Sequence, residues 1–376
     1  MVNYTTKIVK SKVIKEKIGK YFEQVEIYQR KRKFQSNKIL SKILINFIIT
    51  GISFFSLSIV CIKSDNIKAS DTAFKKLFQK CNKFKEVYDN LLNARENCAT
   101  KSKKVLGYKQ CFLLDTTSLK EEGHKGEVYR IHSNYALTRN QISSVNVTDS
   151  HTAESVKNFE IVENALYLAD RAYCTSSQLT YLIKNNADFI FRMKYNGMKL
   201  YADKDCTDRF NVVNFLSSSN RDNTSKSVYI QYDNQINKIK IVAKRLGKDV
   251  TEANRKSVLR KTQKRGDTVM PETLVMCEWL ILATSLTDKS NESILKTYRL
   301  RWQIELLFKR FKTFINFHKI RKSTKNYAFS YIFLSLIVFF ILELLVELNH
   351  DFFKHENISS NWIKCAVSYF FLLVFP

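Results

Sequence analysis

The chain is poor in glycine, proline and acidic residues. Its 376 residues include only 8 Gly and 2 Pro, which excludes a collagen-like fibre and a Pro-rich linker protein. Asp and Glu number 35 against 62 Lys and Arg, so the net charge is +27. A positive field of this size predicts a polyanionic partner, and composition alone leaves nucleic acid and an anionic membrane surface open.

Cysteine and histidine show no metal-binding spacing. No two of the eight cysteines lie within four residues of each other, which excludes a CxxC zinc half-site and a compact disulfide framework. The six histidines form no HxxxH or HExxH pair. We therefore expect reduced thiols in a cytoplasmic protein. The first 24 residues contain no apolar segment typical of a secretory signal.

Two apolar runs raise the question of a membrane. The run 43–62 is long enough for a span of about 20 residues, but Asn, Ser and Thr recur through it. The run 328–342 is about 15 residues long before Glu343 and Glu347 interrupt it. Both runs favour buried helices of a protein core, and membrane insertion is the alternative.

The secondary-structure signal changes near residue 105. Upstream, apolar residues spaced by three and four predict helices, most clearly over 71–93. Downstream, short apolar runs predict strands at 110–114, 127–131, 165–169, 189–192, 228–230, 239–242 and 278–283. Ser290 is expected to cap a long helix that ends near residue 317, and 255–265 is expected to be a basic connector. The pattern predicts a mixed α/β fold.

Two aspartates directly follow apolar runs. Asp115 stands in LLDTTS and Asp170 stands in LADRAY. A carboxylate just past a buried strand is held at the edge of the sheet and faces solvent. That geometry suits a divalent metal, because hard cations take oxygen ligands. A turn-forming or helix-capping aspartate is the alternative for either residue alone.

The segment 296–312 places four polar side chains on one side of a predicted helix. The helix turns about 100° per residue, and Tyr298 is set at zero. Arg301 then falls at about 300°, Glu305 at about 340° and Lys312 at about 320°. These residues form a stripe about 60° wide in a helix otherwise rich in Leu, Ile, Trp and Phe. A solvated row of salt bridges is the alternative interpretation.

Glu305 adds a third carboxylate to Asp115 and Asp170. Three carboxylates can hold two Mg²⁺ ions about 4 Å apart, with Mn²⁺ as the alternative ion. Such a pair activates an attacking water or 3′-hydroxyl and stabilises the leaving oxygen of an in-line phosphoryl transfer. Since the net charge of +27 attracts a polyanion, the pattern favours DNA.

The stripe also forms a recognisable motif, Y-x2-R-x3-E-x6-K. It resembles the YREK signature of bacterial insertion-sequence DDE transposases. Further segments resemble the same family in the same order, and they are LLDTTSL, VTDSHTAES, LADRAY, EWLILATSL and YRLRWQIELLFKRFK. The resemblance covers roughly residues 105–320. It departs at Thr116, where Gly or Ser is common, and at Ala172, where Gly is common.

The resemblance implies a ribonuclease-H-like core with a β-rich insertion. The domains expected from it are a helical DNA-end-binding region at 1–105, a first part of the core at 106–185, the insertion at 186–277 and a second part of the core at 278–376. The last part carries the glutamate helix and apolar helices. Glu305 lies 135 positions after Asp170, which leaves room for the insertion.

The resemblance also implies roles for individual residues. Asp115, Asp170 and Glu305 would be the catalytic, metal-binding triad. Tyr298, Arg301 and Lys312 would contact DNA phosphates near the cleaved end.

Two further DNA contacts are implied, each with an alternative. Trp279 resembles a tryptophan that stacks on a flipped base, and a buried core tryptophan is the alternative. Six basic residues would face DNA, with a solvated loop as the alternative, and they are Arg255, Lys256, Arg260, Lys261, Lys264 and Arg265.

The implied activity is cut-and-paste transposition. We expect nicking at the ends of the element, a DNA hairpin intermediate and strand transfer into target DNA by two-metal phosphoryl transfer. The expected partners are double-stranded terminal inverted repeats and target DNA, a second copy of the chain when two ends are paired, and Mg²⁺. We expect no small-molecule cofactor and no membrane contact, and a cytoplasmic location at the nucleoid. A catalytically decayed DNA-binding remnant and a basic membrane-associated protein are the alternatives.

Overall fold

A mixed nine-stranded sheet forms the centre of the part of the chain that the structure describes. The computed structural model describes residues 37–65, 67–98, 104–315 and 319–348. The strands are β1 (Cys111–Glu121), β2 (Glu127–Ala136), β3 (Gln141–Asp149), β4 (Leu166–Ala169), β5 (Asp188–Arg192), β6 (Asn223–Tyr232), β7 (Gln235–Arg245), β8 (Trp279–Thr284) and β9 (Lys319–Ile320).

Helices precede the sheet, connect its strands and follow it. They are α1 (Asn37–Thr50), α2 (Phe54–Asp65), α3 (Asp71–Leu77), α4 (Cys81–Cys98), α5 (Ser176–Lys184), α6 (Val212–Ser217), α7 (Lys248–Gln263), α8 (Pro271–Met276), α9 (Asn291–Tyr298), α10 (Trp302–Ile315) and α11 (Lys325–Leu348). The predicted mixed α/β class and the helical region before the sheet are confirmed.

The strands follow the spatial order β3-β2-β1-β4-β5-β8-β7-β6, and β9 pairs with the end of β1. Strands β1, β2 and β3 form an antiparallel meander, whereas β4 and β5 run parallel to β1. Strand β8 is antiparallel to β5, and β7 is antiparallel to β8. The last residues of β4, β5 and β7 therefore lie at the same end of the sheet, and the end of β4 lies beside the middle of β1.

Each face of the sheet carries its own apolar core. Leu113 and Ile190 point into a first core, shared with α9, α10, α11 and the N-terminal helices. Leu114 and Phe189 point into a second core, shared with α5, α6 and α8. Successive side chains of a strand point to opposite faces of the sheet. A residue two positions from a core residue therefore lies on the same face as that residue.

The two apolar runs form separate helices. The first is split at Gly51, whose φ of 64° ends α1 before α2 begins, and the second lies within α11. Leu44 and Ile48 of α1 and Ile332 and Leu336 of α11 are buried in the first core, which confirms the interpretation of core helices for α1 and α11. In α2, by contrast, Phe55, Ile59, Val60 and Ile62 are exposed. Within the described ranges, no helix is both long and apolar enough to cross a bilayer.

Several predicted elements differ in their bounds. The strand predictions are confirmed at β4, β5 and β8, but the helix expected over 71–93 is two helices, α3 and α4. The prediction of a basic connector at 255–265 is wrong, since most of this segment belongs to α7. Ser290 does cap α9, because its Oγ accepts the backbone N–H of Ser293 at 3.3 Å. The expected end of the glutamate helix near residue 317 lies outside the described residues, as do 1–36 and 349–376.

Candidate active site

One row of charged residues crosses three neighbouring parallel strands. The register pairs Leu114 of β1 with Ala169 of β4, and Ala169 with Phe191 of β5. The next residue of each strand is Asp115, Asp170 and Arg192, respectively. Neighbouring strands lie about 4.8 Å apart, so this register brings the two predicted aspartates side by side, with an arginine beyond them.

The row faces the helices of the first core. On β1, Asp115 shares its face with Leu113, and on β5 Arg192 shares its face with Ile190, both of which belong to that core. Helices α9 and α10 cover the same face. The glutamate helix therefore lies over the aspartates, as the resemblance implies.

Asp115 lies within a strand, not at its end as the sequence predicted. Strand β1 continues for six residues beyond it, because Thr116 to Lys120 stay paired with β2 and Glu121 pairs with β9. Burial raises the pKa of the Asp115 carboxyl to about 7, against the opposing effects of the Thr116 N–H, at 2.8 Å, and of the Arg301 guanidinium. The carboxylate is thus held where an isolated negative charge is unfavourable and a cation would stabilise it.

Asp170 begins a tight turn directly after β4. Its Oδ1 accepts the backbone N–H of Ala172 at 2.8 Å, and its carbonyl accepts the N–H of Tyr173 at 3.3 Å. The backbone of Ala172 does not take a positive φ, so the turn accommodates Ala without the strain that a missing Gly could cause. The departure from the family pattern at Ala172 is therefore structurally neutral.

The predicted stripe is formed at a break between two helices. Helix α9 ends at Tyr298, a 3₁₀ turn covers Arg299–Arg301, and α10 begins at Trp302. Across this break the Arg301 guanidinium lies 5.8 Å from the centre of the Tyr298 ring and forms an ion pair with Glu305. Lys312 lies two turns further along α10 and is half-buried. The single long helix expected from the sequence is therefore interrupted at the site itself.

Two buried polar atoms of the stripe have no hydrogen-bond partner among the described residues. They are the Tyr298 hydroxyl and Nε of Arg301. Burial raises the pKa of Tyr298 to about 12, so the hydroxyl remains a proton donor at neutral pH. A buried polar group without a partner costs about 1–3 kcal/mol, which a ligand oxygen could offset.

The three predicted metal ligands are not gathered around one point. Across the described ranges, no three acidic, histidine or cysteine side chains lie close enough to hold a metal ion. Asp115 and Asp170 are neighbours, but Glu305 is bound to Arg301. The donor set nevertheless fits Mg²⁺ in type, because all three groups are carboxylates and the environment of Asp115 favours added positive charge.

The structure adds charged residues that the sequence did not single out. Arg192 is half-buried and lies within electrostatic reach of Arg171, Arg301 and Asp170, and burial lowers the pKa of its guanidinium. Glu154 follows β3 and interacts with Asp170, while burial raises the pKa of its carboxyl. The segment VTDSHTAES contains Glu154, but only the sheet register could have placed Arg192 beside Asp170.

Trp279 begins β8 and lies in the second core. Its side chain is only 5% exposed, and the Arg245 guanidinium covers the ring at 4.8 Å from the centroid. A base could stack on this ring only if Arg245 moved away. In this structure Trp279 is a buried core tryptophan, which is the alternative that the sequence left open.

Replacement of Trp279 by Ala is expected to lower the free energy of unfolding by about 3–5 kcal/mol, because a buried aromatic side chain leaves a cavity. Urea denaturation measures this loss. Trp302→Ala is the matched control, since Trp302 is 57% exposed and its loss should change stability by about 0.5 kcal/mol or less. A Trp279→Ala protein of normal stability that fails only in hairpin formation would instead support the stacking role.

The predicted basic residues of 255–265 are distributed along and just after α7. Arg255 donates to Oε1 of Glu278 at 2.6 Å and to the carbonyl of Leu274 at 3.2 Å, which ties α7 to the segment before β8. The other five are exposed, and they are Lys256, Arg260, Lys261, Lys264 and Arg265. Because α7 follows β7, it leaves the sheet at the edge that carries Asp170 and Arg192.

Comparisons with known proteins show which sequences this chain is similar to. The family model described as "Transposase DDE domain" matches residues 58–341. The chain is 26% identical over 254 residues to the putative transposase InsL for insertion sequence element IS186A of Escherichia coli strain K12, covering 65% of this chain and 68% of that protein. The transposase for insertion sequence element IS421 of Escherichia coli matches with the same identity and coverage.

Proposed function

Because the chain belongs to the DDE transposase family, an enzyme family that acts on DNA and has a ribonuclease-H-like catalytic domain, we propose that it cuts the ends of an insertion sequence and joins them to target DNA. The names of its relatives support an insertion sequence as the element. We assign catalysis to Asp115, Asp170 and Glu305. Cut-and-paste transposition through a DNA hairpin is the route that the YREK pattern favours.

The observation that carries this proposal is the row of Asp115, Asp170 and Arg192 beneath the helix break at Tyr298. The row sets two carboxylates beside a cluster of arginines at one edge of the sheet. Carboxylates suit Mg²⁺, whereas arginines suit the phosphates of DNA. Phosphoryl transfer on a nucleic acid requires carboxylates and arginines to lie side by side, because the metal must contact the phosphate.

Acidic residues of the site would bind the metal, and basic residues would bind the phosphate. Asp115 and Asp170 would hold the metal, and Glu305 would join them after it leaves Arg301. Arg301 would then be free to donate its guanidinium to a phosphate, with the buried Tyr298 hydroxyl as a second donor. Two bound Mg²⁺ ions would activate the attacking hydroxyl or water and stabilise the leaving oxygen.

The exposed cations of α7 extend this surface away from the row. Lys256, Arg260, Lys261, Lys264 and Arg265 would contact the DNA backbone, whereas Arg255 acts as a structural tie to Glu278. Two ends must be held together for strand transfer, so we propose a dimer in the DNA complex. With DNA as substrate, the place of action would be the nucleoid.

Replacement of Lys312 by Ala is expected to weaken binding to end DNA and to reduce its dependence on salt. Loss of one phosphate contact lowers the slope of log K against log salt by about 0.9. Fluorescence anisotropy at several salt concentrations measures both quantities. Lys296→Ala is the matched control, because Lys296 is an exposed lysine on the other side of the predicted stripe. Equal slopes for the Lys312→Ala protein and the wild type would remove Lys312 from the interface.

The proposal is tested with a duplex that contains the inverted repeat flanking the coding region. In Mg²⁺, the wild-type protein should nick at the end of the repeat, and a denaturing gel should then show the hairpin and the joined product. If the protein is instead a catalytically decayed DNA-binding remnant, the alternative left open by the sequence, it should bind the same duplex tightly without nicking it. Cleavage without hairpin would retain the transposase assignment and reject the hairpin route.

A further inference from the structure

A buried chain of hydrogen bonds crosses the sheet behind the two aspartates. The Tyr173 hydroxyl lies 2.8 Å from Oγ1 of Thr116, which lies 2.9 Å from Nδ1 of His132. Nε2 of His132 lies 2.9 Å from Oγ1 of Thr148. Tyr173 and His132 are fully buried. The chain therefore connects the turn after β4 with β1, β2 and β3.

The hydrogen-bond partners set the direction of donation along this chain. Oγ1 of Thr148 donates to the carbonyl of Asp149 at 3.0 Å, so it accepts from Nε2–H of His132. Nδ1 is then an acceptor, which lies 2.9 Å from the Thr116 hydroxyl and 3.2 Å from Nδ2 of Asn158. Donation by the Thr116 hydroxyl leaves its Oγ1 to accept from Tyr173. Burial lowers the pKa of His132 to about 4, so the neutral ring that this direction needs is the form present near pH 7.

The chain links the two segments that carry the carboxylates. Thr116 directly follows Asp115 and donates its backbone N–H to that carboxylate at 2.8 Å. Tyr173 closes the turn that begins at Asp170. The pairing of β1 with β4 ends at Leu114 and Ala169, one residue before each aspartate. Beyond the ladder, the bond between Tyr173 and Thr116 joins the two segments that carry the carboxylates.

We propose that Tyr173 is a positioning residue, whose hydroxyl acts through Thr116 to fix the spacing of Asp115 and Asp170. His132 serves as the anchor, because it holds Thr116 from β2 and is itself held from β3. The inference rests on the proposed function, in which the two carboxylates hold Mg²⁺. It also explains why Thr, with its hydroxyl, suits the position after Asp115.

A small change in this spacing should affect metal binding strongly. Mg²⁺ demands near-ideal octahedral geometry at about 2.0–2.1 Å, so ligands that drift apart bind it poorly. Loss of a group that orients metal ligands costs about 10–100-fold in affinity or activity. Removing the Tyr173 hydroxyl keeps both carboxylates in the protein and takes away only the hydrogen bond that links their two segments.

The test is Tyr173→Phe, with Mn²⁺ titration followed by electron paramagnetic resonance as a readout independent of cleavage. We expect Mn²⁺ binding and the Mg²⁺ concentration for half-maximal end cleavage to weaken by about 10–100-fold, with DNA-end affinity unchanged. Thr116→Val should reproduce the effect, Thr116→Ser should restore wild-type behaviour, and Thr116→Val combined with Tyr173→Phe should be no worse than either alone.

The matched control is Tyr167→Phe. Tyr167 is a fully buried tyrosine of β4 on the same face, whose hydroxyl accepts the N–H of Val162 at 2.9 Å, away from the aspartates. Its loss should leave the metal requirement unchanged. A Tyr173→Phe protein with a lower unfolding midpoint but the wild-type metal requirement would show a structural role and overturn the proposal. A wild-type protein that neither binds Mn²⁺ nor cuts would overturn the proposed function as well.

Discussion

Asp115→Asn is expected to abolish cleavage of element-end DNA while leaving DNA binding intact. The amide has nearly the same shape as the carboxylate and can still accept the Thr116 N–H, so β1 and its pairing should persist. It lacks the negative charge that a divalent cation requires. We expect single-turnover cleavage to fall by about 10³-fold or more, since the stabilisation of the transition state depends on the metal.

The control for this substitution is Asp233→Asn. Asp233 is an exposed aspartate in the turn between β6 and β7, where its φ of 51° suits Asn equally well. Its 3.4 Å ion pair with Lys184 is solvent-exposed and contributes little. The control protein should cut at the wild-type rate. An Asp115→Asn protein that still cuts in Mg²⁺ would remove this carboxylate from the catalytic triad.

An exchange of charges between Arg301 and Glu305 is expected to inactivate the protein without unfolding it. In Arg301→Glu combined with Glu305→Arg, the ion pair between positions i and i+4 can still form. Because Arg301 is largely buried and lies beside Asp115, some loss of stability is expected, and the unfolding midpoint is measured together with cleavage. The metal would lose its third carboxylate, and the phosphate would lose its arginine beside Asp115. We expect cleavage to fall by about 10³-fold or more.

A pair with the same spacing provides the control. Lys85 and Asp89 form an i, i+4 ion pair on α4, on exposed side chains outside the candidate site. Their exchange, Lys85→Asp with Asp89→Lys, should change neither cleavage nor the unfolding midpoint appreciably. If the exchanged Arg301 and Glu305 protein retained cleavage, the two residues would serve only to join the 3₁₀ turn to α10.

The sequence predicted those parts of the fold in which apolar residues are continuous. Strands β4, β5 and β8 are short and have continuous apolar residues at their centres, so they could be found without tertiary information. Strand β1 could be followed only to Leu114, because Thr116 to Lys120 mix polar and apolar side chains. This is why Asp115 was expected at the end of a strand and not within it.

The helices show the same limit. Helix α7 carries few apolar residues, so its sequence resembles a solvated loop, and its attachment through Arg255 and Asn254 comes from tertiary contacts. The helix break after Tyr298 contains no Gly or Pro, so the sequence contains no signal from which it could be predicted.

The sequence predicted which residues could form the candidate site, but it could not predict which residues lie beside them in the fold. Two aspartates after apolar runs and the spacing of the YREK motif identified Asp115, Asp170 and Glu305. The place of Arg192 depends on the register of β4 with β5, which no local pattern encodes. The link between Tyr173 and Thr116 likewise joins residues 57 positions apart.

The proposed catalysis requires bound metal to contact the DNA phosphate that is cut. This contact is tested most directly with a duplex in which sulfur replaces the bridging 3′-oxygen at the cleaved phosphate. Mg²⁺ prefers oxygen, whereas Mn²⁺ accepts sulfur more readily, so cleavage should be slow in Mg²⁺ and recover in Mn²⁺. Equal slowing by sulfur in both ions, or cleavage of the normal duplex in EDTA, would contradict the account.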